Sequence, residues 1–137
     1  MEEDCFDMKL TPDELRAISS IGLAHLGDAV YELLVRARLC AGGKATGRGL
    51  HRATVALVCA ESQAQRAERI VPLLTQEEAD VFRRGRNAQV HTVPPHASRA
   101  QYGEATALEA LFGWLYLQGR RERIGVLFQE MMRDEEA

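Results

Sequence analysis

The chain has 137 residues, 46% of them apolar and 27% charged, with 11 glycines, 4 prolines and a formal net charge of −3. That length suits a single hydrophobic core spanning residues 1–137 as one domain, and the apolar share excludes a disordered or fibrous chain. No run approaches the ~18 apolar residues of a transmembrane helix, and the acidic start MEEDCFDMK is unlike a secretory leader, so a cytoplasmic protein is expected.

Cys5, Cys40 and Cys59 are odd in number and form no CxxC pair, which fits a reducing compartment. Each is expected to serve as a small, buried or half-buried apolar residue. The charge is unevenly spread. Residues 1–17 hold six acids and two bases, residues 129–137 four acids and one base, and residues 36–99 eleven bases against five acids. A basic middle with acidic ends is compatible with a phosphate-backbone partner, although composition by itself favours an ordinary solvated surface.

In chain order, Thr11-Pro12-Asp13-Glu14 combines an N-cap, a first-turn proline and a capping-box glutamate, predicting a helix that ends near Ser19 or Ser20. Residues 21–39 predict a central helix with Ile21, Leu23, Leu26, Val30, Leu33 and Leu34 around most of its circumference. Its polar residues His25, Asp28, Glu32 and Arg36 follow steps of three, four and four and share one stripe, so Asp28 faces a polar seam. Ala41-Gly42-Gly43 supplies a break. Residues 47–70 read as one helix with Leu50, Val55, Leu57, Val58 and Ala60 inward, ended by Pro72.

Thr75-Gln76-Glu77-Glu78 is a second capping box, opening a helix to about Arg84, and 89–97, with Pro94-Pro95, reads as a loop. Ser98 with Gln101 starts a long helix over 99–118. Gly119 punctuates it, and 120–132 form a last amphipathic helix. No segment alternates with period two, so the fold class is all-α.

Glu109, in ATALEALFGWLYL, is a lone acid like Asp28, and Tyr102, Thr106, Glu109 and Gly113 share a stripe along its helix. Gly113 lets a second helix approach closely. If that helix is 21–39, Asp28 and Glu109 face each other. Two carboxyl groups meeting in an apolar bundle share a proton, pair with bases or bind a cation, with oxygen ligands favouring magnesium or manganese over zinc. Pairing of Asp28 with Arg36 or His25, and of Glu109 with an arginine elsewhere, is the alternative, and spacing does not choose between them.

LGDAVYE at 26–32 resembles the signature helix of ribonuclease III enzymes, and ATALEALFGWLYL at 105–117 resembles their second acidic helix. RRGRNA at 83–88, LH at 50–51 and SQA at 62–64 are similar to the catalytic-domain-only group, Mini-ribonuclease III, over about residues 7–130. The resemblance implies an all-helical endonuclease bundle and a homodimer with metal-dependent sites along one valley. It also implies cleavage of double-stranded RNA, in this group the large-subunit (23S) ribosomal RNA precursor, leaving 5′-phosphate ends. By motif position it makes Asp28 and Glu109 the catalytic and metal-binding pair, with Mg2+ or Mn2+ as cofactor. Ordinary ribonuclease III has acids where this chain has Ile21, Ala24 and Thr106, a departure shared by the Mini type that leaves fewer carboxylates for metal.

With no separate double-stranded-RNA-binding domain after residue 133, the catalytic domain is expected to grip the duplex itself, with a ribosomal protein as a conceivable helper. Arg83, Arg84, Arg86 and Asn87 form the first candidate surface and Lys44, Arg48, His51 and Arg52 the second. Arg83 and Arg84 could instead merely complement the negative end of their helix. His25 is expected at a dimer seam, His91 and His96 on the surface or against RNA, and Trp114 and Tyr116 in the core. A catalytically silent RNA-binding or ribosome-assembly module with the same fold is the alternative reading. A generic helical interaction protein would explain neither isolated acid.

Overall fold

The computed structural model describes residues 4–43, 46–88 and 98–135, and in these it contains helices and no β-strand. The elements are α1 (Pro12–Arg16), α2 (Ser20–Ala41), α3 (Gly47–Val58), α4 (Ala60–Ile70), α5 (Gln76–Arg86), α6 (Arg99–Leu117) and α7 (Arg121–Met131), with 3-10 turns at Val71–Leu73 and Arg133–Glu135. All three capping boxes form. Thr11, Thr75 and Ser98 each accept a hydrogen bond from the backbone N–H three residues on, and Glu14, Glu78 and Gln101 reach back to the cap's own N–H. Ser19 and Thr46 cap α2 and α3 the same way without the reciprocal partner.

The expected single helix over 47–70 is two. Cys59 adopts an extended conformation, φ −66° and ψ 154°, and is the single residue between α3 and α4, capping both. No glycine or proline marks the break, and Cys59 makes no side-chain cap bond, so the usual signals are absent from the sequence. The break also re-aims the helix faces. Leu57 is buried as expected, whereas Val55 is 47% exposed and not inward. Ile21 and Leu33 are likewise exposed, at 45% and 66%, so α2 is covered on part of its circumference only. Cys5, Cys40 and Cys59 are free and exposed, contrary to the burial expected of them: Cys5 precedes α1, Cys40 is in the last turn of α2 and Cys59 lies at the α3–α4 junction, so none sits on a buried helix face.

The core lies around α6, which packs on α2, α4, α5 and α7. Leu108, Leu111, Phe112 and Leu115 of α6 are fully buried against Tyr31 and Val35 of α2. Tyr31 stacks edge-to-face on Phe112 and Phe128, with centroids 6.0 and 5.9 Å apart, and satisfies its buried hydroxyl by donating to the Leu57 carbonyl at 3.1 Å. Trp114 packs against the core and Tyr116 half-buries beside it, its hydroxyl donating to the Phe6 carbonyl.

Helices α2 and α6 cross at Gly27 and Gly113. A Cβ on Gly27 would stand 1.6 Å from the Glu109 carbonyl oxygen, and one on Gly113 would stand 2.1 Å from that of Leu23. Only glycine permits this approach.

Polar clamps hold the ends of the bundle. Glu78, 1% exposed, takes two bonds from the Arg123 guanidinium, at 2.8 and 2.9 Å, and Arg123 also donates to the Leu73 carbonyl. The Arg123 bonds outweigh burial and hold the Glu78 carboxyl below its ordinary range. Glu78→Ala removes two of the guanidinium's three bonds but leaves a partly exposed Arg123 still held by the Leu73 carbonyl, so it is expected to cost about 1–3 kcal/mol in urea melts. Arg66 and Arg69 both donate to the Met131 carbonyl and to Asp134, fastening the end of α7 to α4.

Candidate active site

The α2–α6 crossing sets the site. With the two backbones in contact at Gly27 and Gly113, the residues one position after Gly27 and four before Gly113 are brought alongside. These are Asp28 and Glu109. They line an open cleft of about 400 Å³ with Ile21, Ala24 and His25 of α2, Tyr102, Ala105 and Thr106 of α6, and Val58, Ala60 and Gln63 from the α3–α4 junction. Asp28 is exposed and Glu109 half-buried.

The carboxyl groups are near enough to perturb one another. Burial, then the Asp28 charge, then a hydrogen bond to Asp28 push the Glu109 pKa up to about 8, against a smaller opposing pull from Gln63. Neither acid forms an ion pair among the described residues. Arg36, the alternative partner for Asp28, pairs with Glu32 at 2.8 Å instead.

This perturbation sets a pH dependence for the cation-free protein. Folded Glu109 keeps its proton to about 8, while the unfolded chain releases it in the ordinary carboxylate range, so between those limits the fold binds the extra proton. Stability is therefore expected to fall as pH rises across that interval, by less than about 5 kcal/mol. Urea melts of chelator-treated protein across that range should show the decline, and Glu109→Gln should flatten it.

The donor set suits a hard divalent cation that keeps several of its waters. Magnesium is commonly held by one or two carboxylates in this manner. Among the described residues no group of three or more His, Cys, Asp or Glu side chains converges. The positions expected to lack acids are apolar or already bonded: Ile21 and Ala24 form cleft wall, and the buried Thr106 hydroxyl donates to the Tyr102 carbonyl at 2.9 Å. His25 lines the same cleft and is exposed.

The basic candidates divide between locations. Arg86 reaches Glu104 at 3.6 Å and so borders the start of α6, two residues from cleft-lining Tyr102. Arg83 pairs with Asp80 at 3.2 Å, both side chains more than half exposed. Arg84 turns away to a second cleft with Leu15 and Trp114, its Nε within 3.4 Å of the Asp80 carbonyl. Asn87 is the exposed C-cap of α5. Arg48 and Arg52 are exposed on α3, and His51 lines a small cleft with Arg36, Cys40 and Thr54. Lys44, His91, His96 and the 89–97 loop lie outside the described residues. Gln63, assigned no role by spacing although it falls in the SQA motif, is placed in the cleft by the break at Cys59.

Residues 22–120, which include both glycines of the helix crossing and both acids, match the Ribonuclease III domain family. The chain is 46% identical over 107 residues to Mini-ribonuclease 3 of Symbiobacterium thermophilum, covering 78% of this chain and 82% of that one. It is 48% identical over 118 residues to Mini-ribonuclease 3 of Gloeobacter violaceus, covering 86% and 85%. The crystal structure of a Fusobacterium nucleatum protein superposes with a TM-score of 0.81 at 30% identity, over 88% of this chain and 93% of that one. The chain belongs to the Mini-ribonuclease III family.

Proposed function

We propose that this protein is a magnesium-dependent endoribonuclease that hydrolyses double-stranded RNA and leaves 5′-phosphate ends. Asp28 and Glu109 hold the cation and are the catalytic pair. The observation that carries the reading is the half-buried Glu109 carboxyl set against Asp28 in an open cleft, an arrangement that raises the Glu109 pKa to about 8 and that a divalent cation relieves. Membership of the family supports the same conclusion.

A cation bound there supplies charge neutralisation at the phosphodiester and a more acidic water. The chain's own residues do the rest. Asp28 and Glu109 orient the site from two helices whose spacing is fixed by the glycine crossing, and Ile21, Ala24 and Val58 give the cleft apolar walls. The substrate proposed is a duplex stem of the large-subunit (23S) ribosomal RNA precursor, processed in the cytoplasm by a homodimer.

No helix among the described residues is long and apolar enough to cross a membrane. The domain is proposed to act as one unit, gripping duplex phosphates and 2′-hydroxyls with Arg83, Arg86 and Asn87 beside α6 and with Arg48 and Arg52 on α3. The ion pairs of Arg83 and Arg86 are surface pairs of low worth, readily exchanged for a phosphate. Arg86→Ala is expected to weaken RNA binding and lower the salt slope of log affinity by about one unit or less, measured by filter binding over a salt series.

The silent-module reading draws on the presence of only two acids in the cleft. Incubating the protein with a precursor stem in magnesium and then in chelator decides between them. Discrete 5′-phosphate products in magnesium alone support the enzyme; bound but intact RNA under both conditions supports the module.

A further inference from the structure

Gln63 lines the cleft beside Glu109 and, unlike the exposed His25, is buried there. It is 2% exposed, and its Nε2 is the buried side-chain nitrogen or oxygen that has no hydrogen-bond partner among the described residues. Burying an amide without a partner costs more than burying an apolar side chain of the same shape, so a fold under no other constraint would not keep it. Its side chain and the Glu109 carboxyl line the same cleft, and no hydrogen bond of the Nε2 joins them.

The helix that carries Gln63 is well fixed. Gln63 sits in the first turn of α4, its N–H bonded to the Cys59 carbonyl at 3.0 Å. One turn further on, the buried Arg66 is tied to Ser62 at 3.1 Å and to the Met131 carbonyl at 2.8 Å. A third, well-anchored helix thus brings a buried amide donor into the cleft lined by Glu109, whose own helix is fixed against α2.

We propose that Gln63 is a positioning residue: its side-chain N–H engages a Glu109 carboxylate oxygen and aims the other oxygen toward the cation shared with Asp28. The inference rests on reading Asp28 and Glu109 as the cation site. The amide gives Glu109 one defined rotamer in the loaded state, which two carboxylates alone in a wide cleft would not.

The test compares wild type, Gln63→Met, Gln63→Leu and Asp28→Asn as whole proteins without RNA, by calorimetric titration with manganese and by thermal melting in chelator. Gln63→Met and Gln63→Leu are expected to melt at or above the wild-type temperature, since an unpartnered buried amide has been removed. Both are expected to bind manganese about tenfold more weakly, as loss of a group that orients a ligand does elsewhere. The magnesium needed for half-maximal cleavage should rise in step.

Wild-type manganese affinity in both variants overturns the proposal. So does a large fall in melting temperature in both, which would make Gln63 a packing residue. Asp28→Asn separates the levels: if it too binds manganese like wild type, the cation site itself is misassigned. If it loses binding while the Gln63 variants keep it, only the role of Gln63 fails.

Discussion

Replacing Asp28 by asparagine or Glu109 by glutamine is expected to lower cleavage of double-stranded RNA by about a thousandfold or more, while affinity for the uncleaved duplex stays near wild type. Each change keeps the size and most hydrogen-bonding capacity of the side chain and removes one of the two carboxyl groups of the cleft that would carry charge against a bound cation. With no third acid among the described residues to compensate, a site of this kind has little redundancy. RNA affinity is expected to survive because the proposed phosphate contacts are basic residues on α3 and α5, and removing an acid from a surface that meets a polyanion does not weaken that attraction. Single-turnover cleavage at saturating enzyme, set beside filter binding in chelator, distinguishes this from a general loss of fold. Magnesium-dependent turnover retained by either variant contradicts the assignment.

The second large effect is structural and reaches the site through the backbone. Gly27→Ala places a methyl group where the Glu109 carbonyl oxygen stands, 1.6 Å from the new carbon, and 2.9 Å from the Gly113 nitrogen. Neither contact is to a flexible side chain that could swing away. Helices α2 and α6 must separate, opening the core that Tyr31, Leu108, Leu111 and Phe112 build between them. The cost is expected to be about 3 kcal/mol or more, at the upper end for an overpacked core. Any protein that still folds should also lose activity, because the same displacement moves Asp28 away from Glu109. Chemical denaturation and cleavage measured on one preparation show whether the two losses come together.

These expectations follow from features that differ in how visible they are in the sequence. The capping boxes at Thr11, Thr75 and Ser98 depend on residues three apart, and local spacing of that kind specifies them fully. The facing of Asp28 and Glu109 is a long-range property, and the sequence left it conditional on which helix meets Gly113. An acid inside an apolar helix is costly unless it has a partner, and Gly113 beside Glu109 marks where that partner's helix can come close.

The break at Cys59 was not legible, since Val58-Cys59-Ala60 carries no residue that stops a helix and the turn is imposed by packing on α6 and α2. Two features on either side of that turn were lost with it: the exposure of Val55 before it and the entry of Gln63 into the cleft after it. The Glu78–Arg123 clamp was hidden for another reason. Glu78 is read locally as a capping residue, and its second role depends on an arginine 45 positions away. Arg84 illustrates the limit of charge runs, because neighbouring arginines on a helix point in different directions: Arg84 lines a second cleft, whereas Arg86 reaches Glu104 of α6.

The central claim is that Asp28 and Glu109 together seat one divalent cation. Crystals of the protein soaked in manganese chloride, with anomalous diffraction recorded at the manganese edge, test it directly. The account predicts an anomalous peak between the two side chains, with an oxygen of each within about 2.0–2.4 Å of it. Side chains directed apart, with manganese bound elsewhere or to one acid alone, would contradict it.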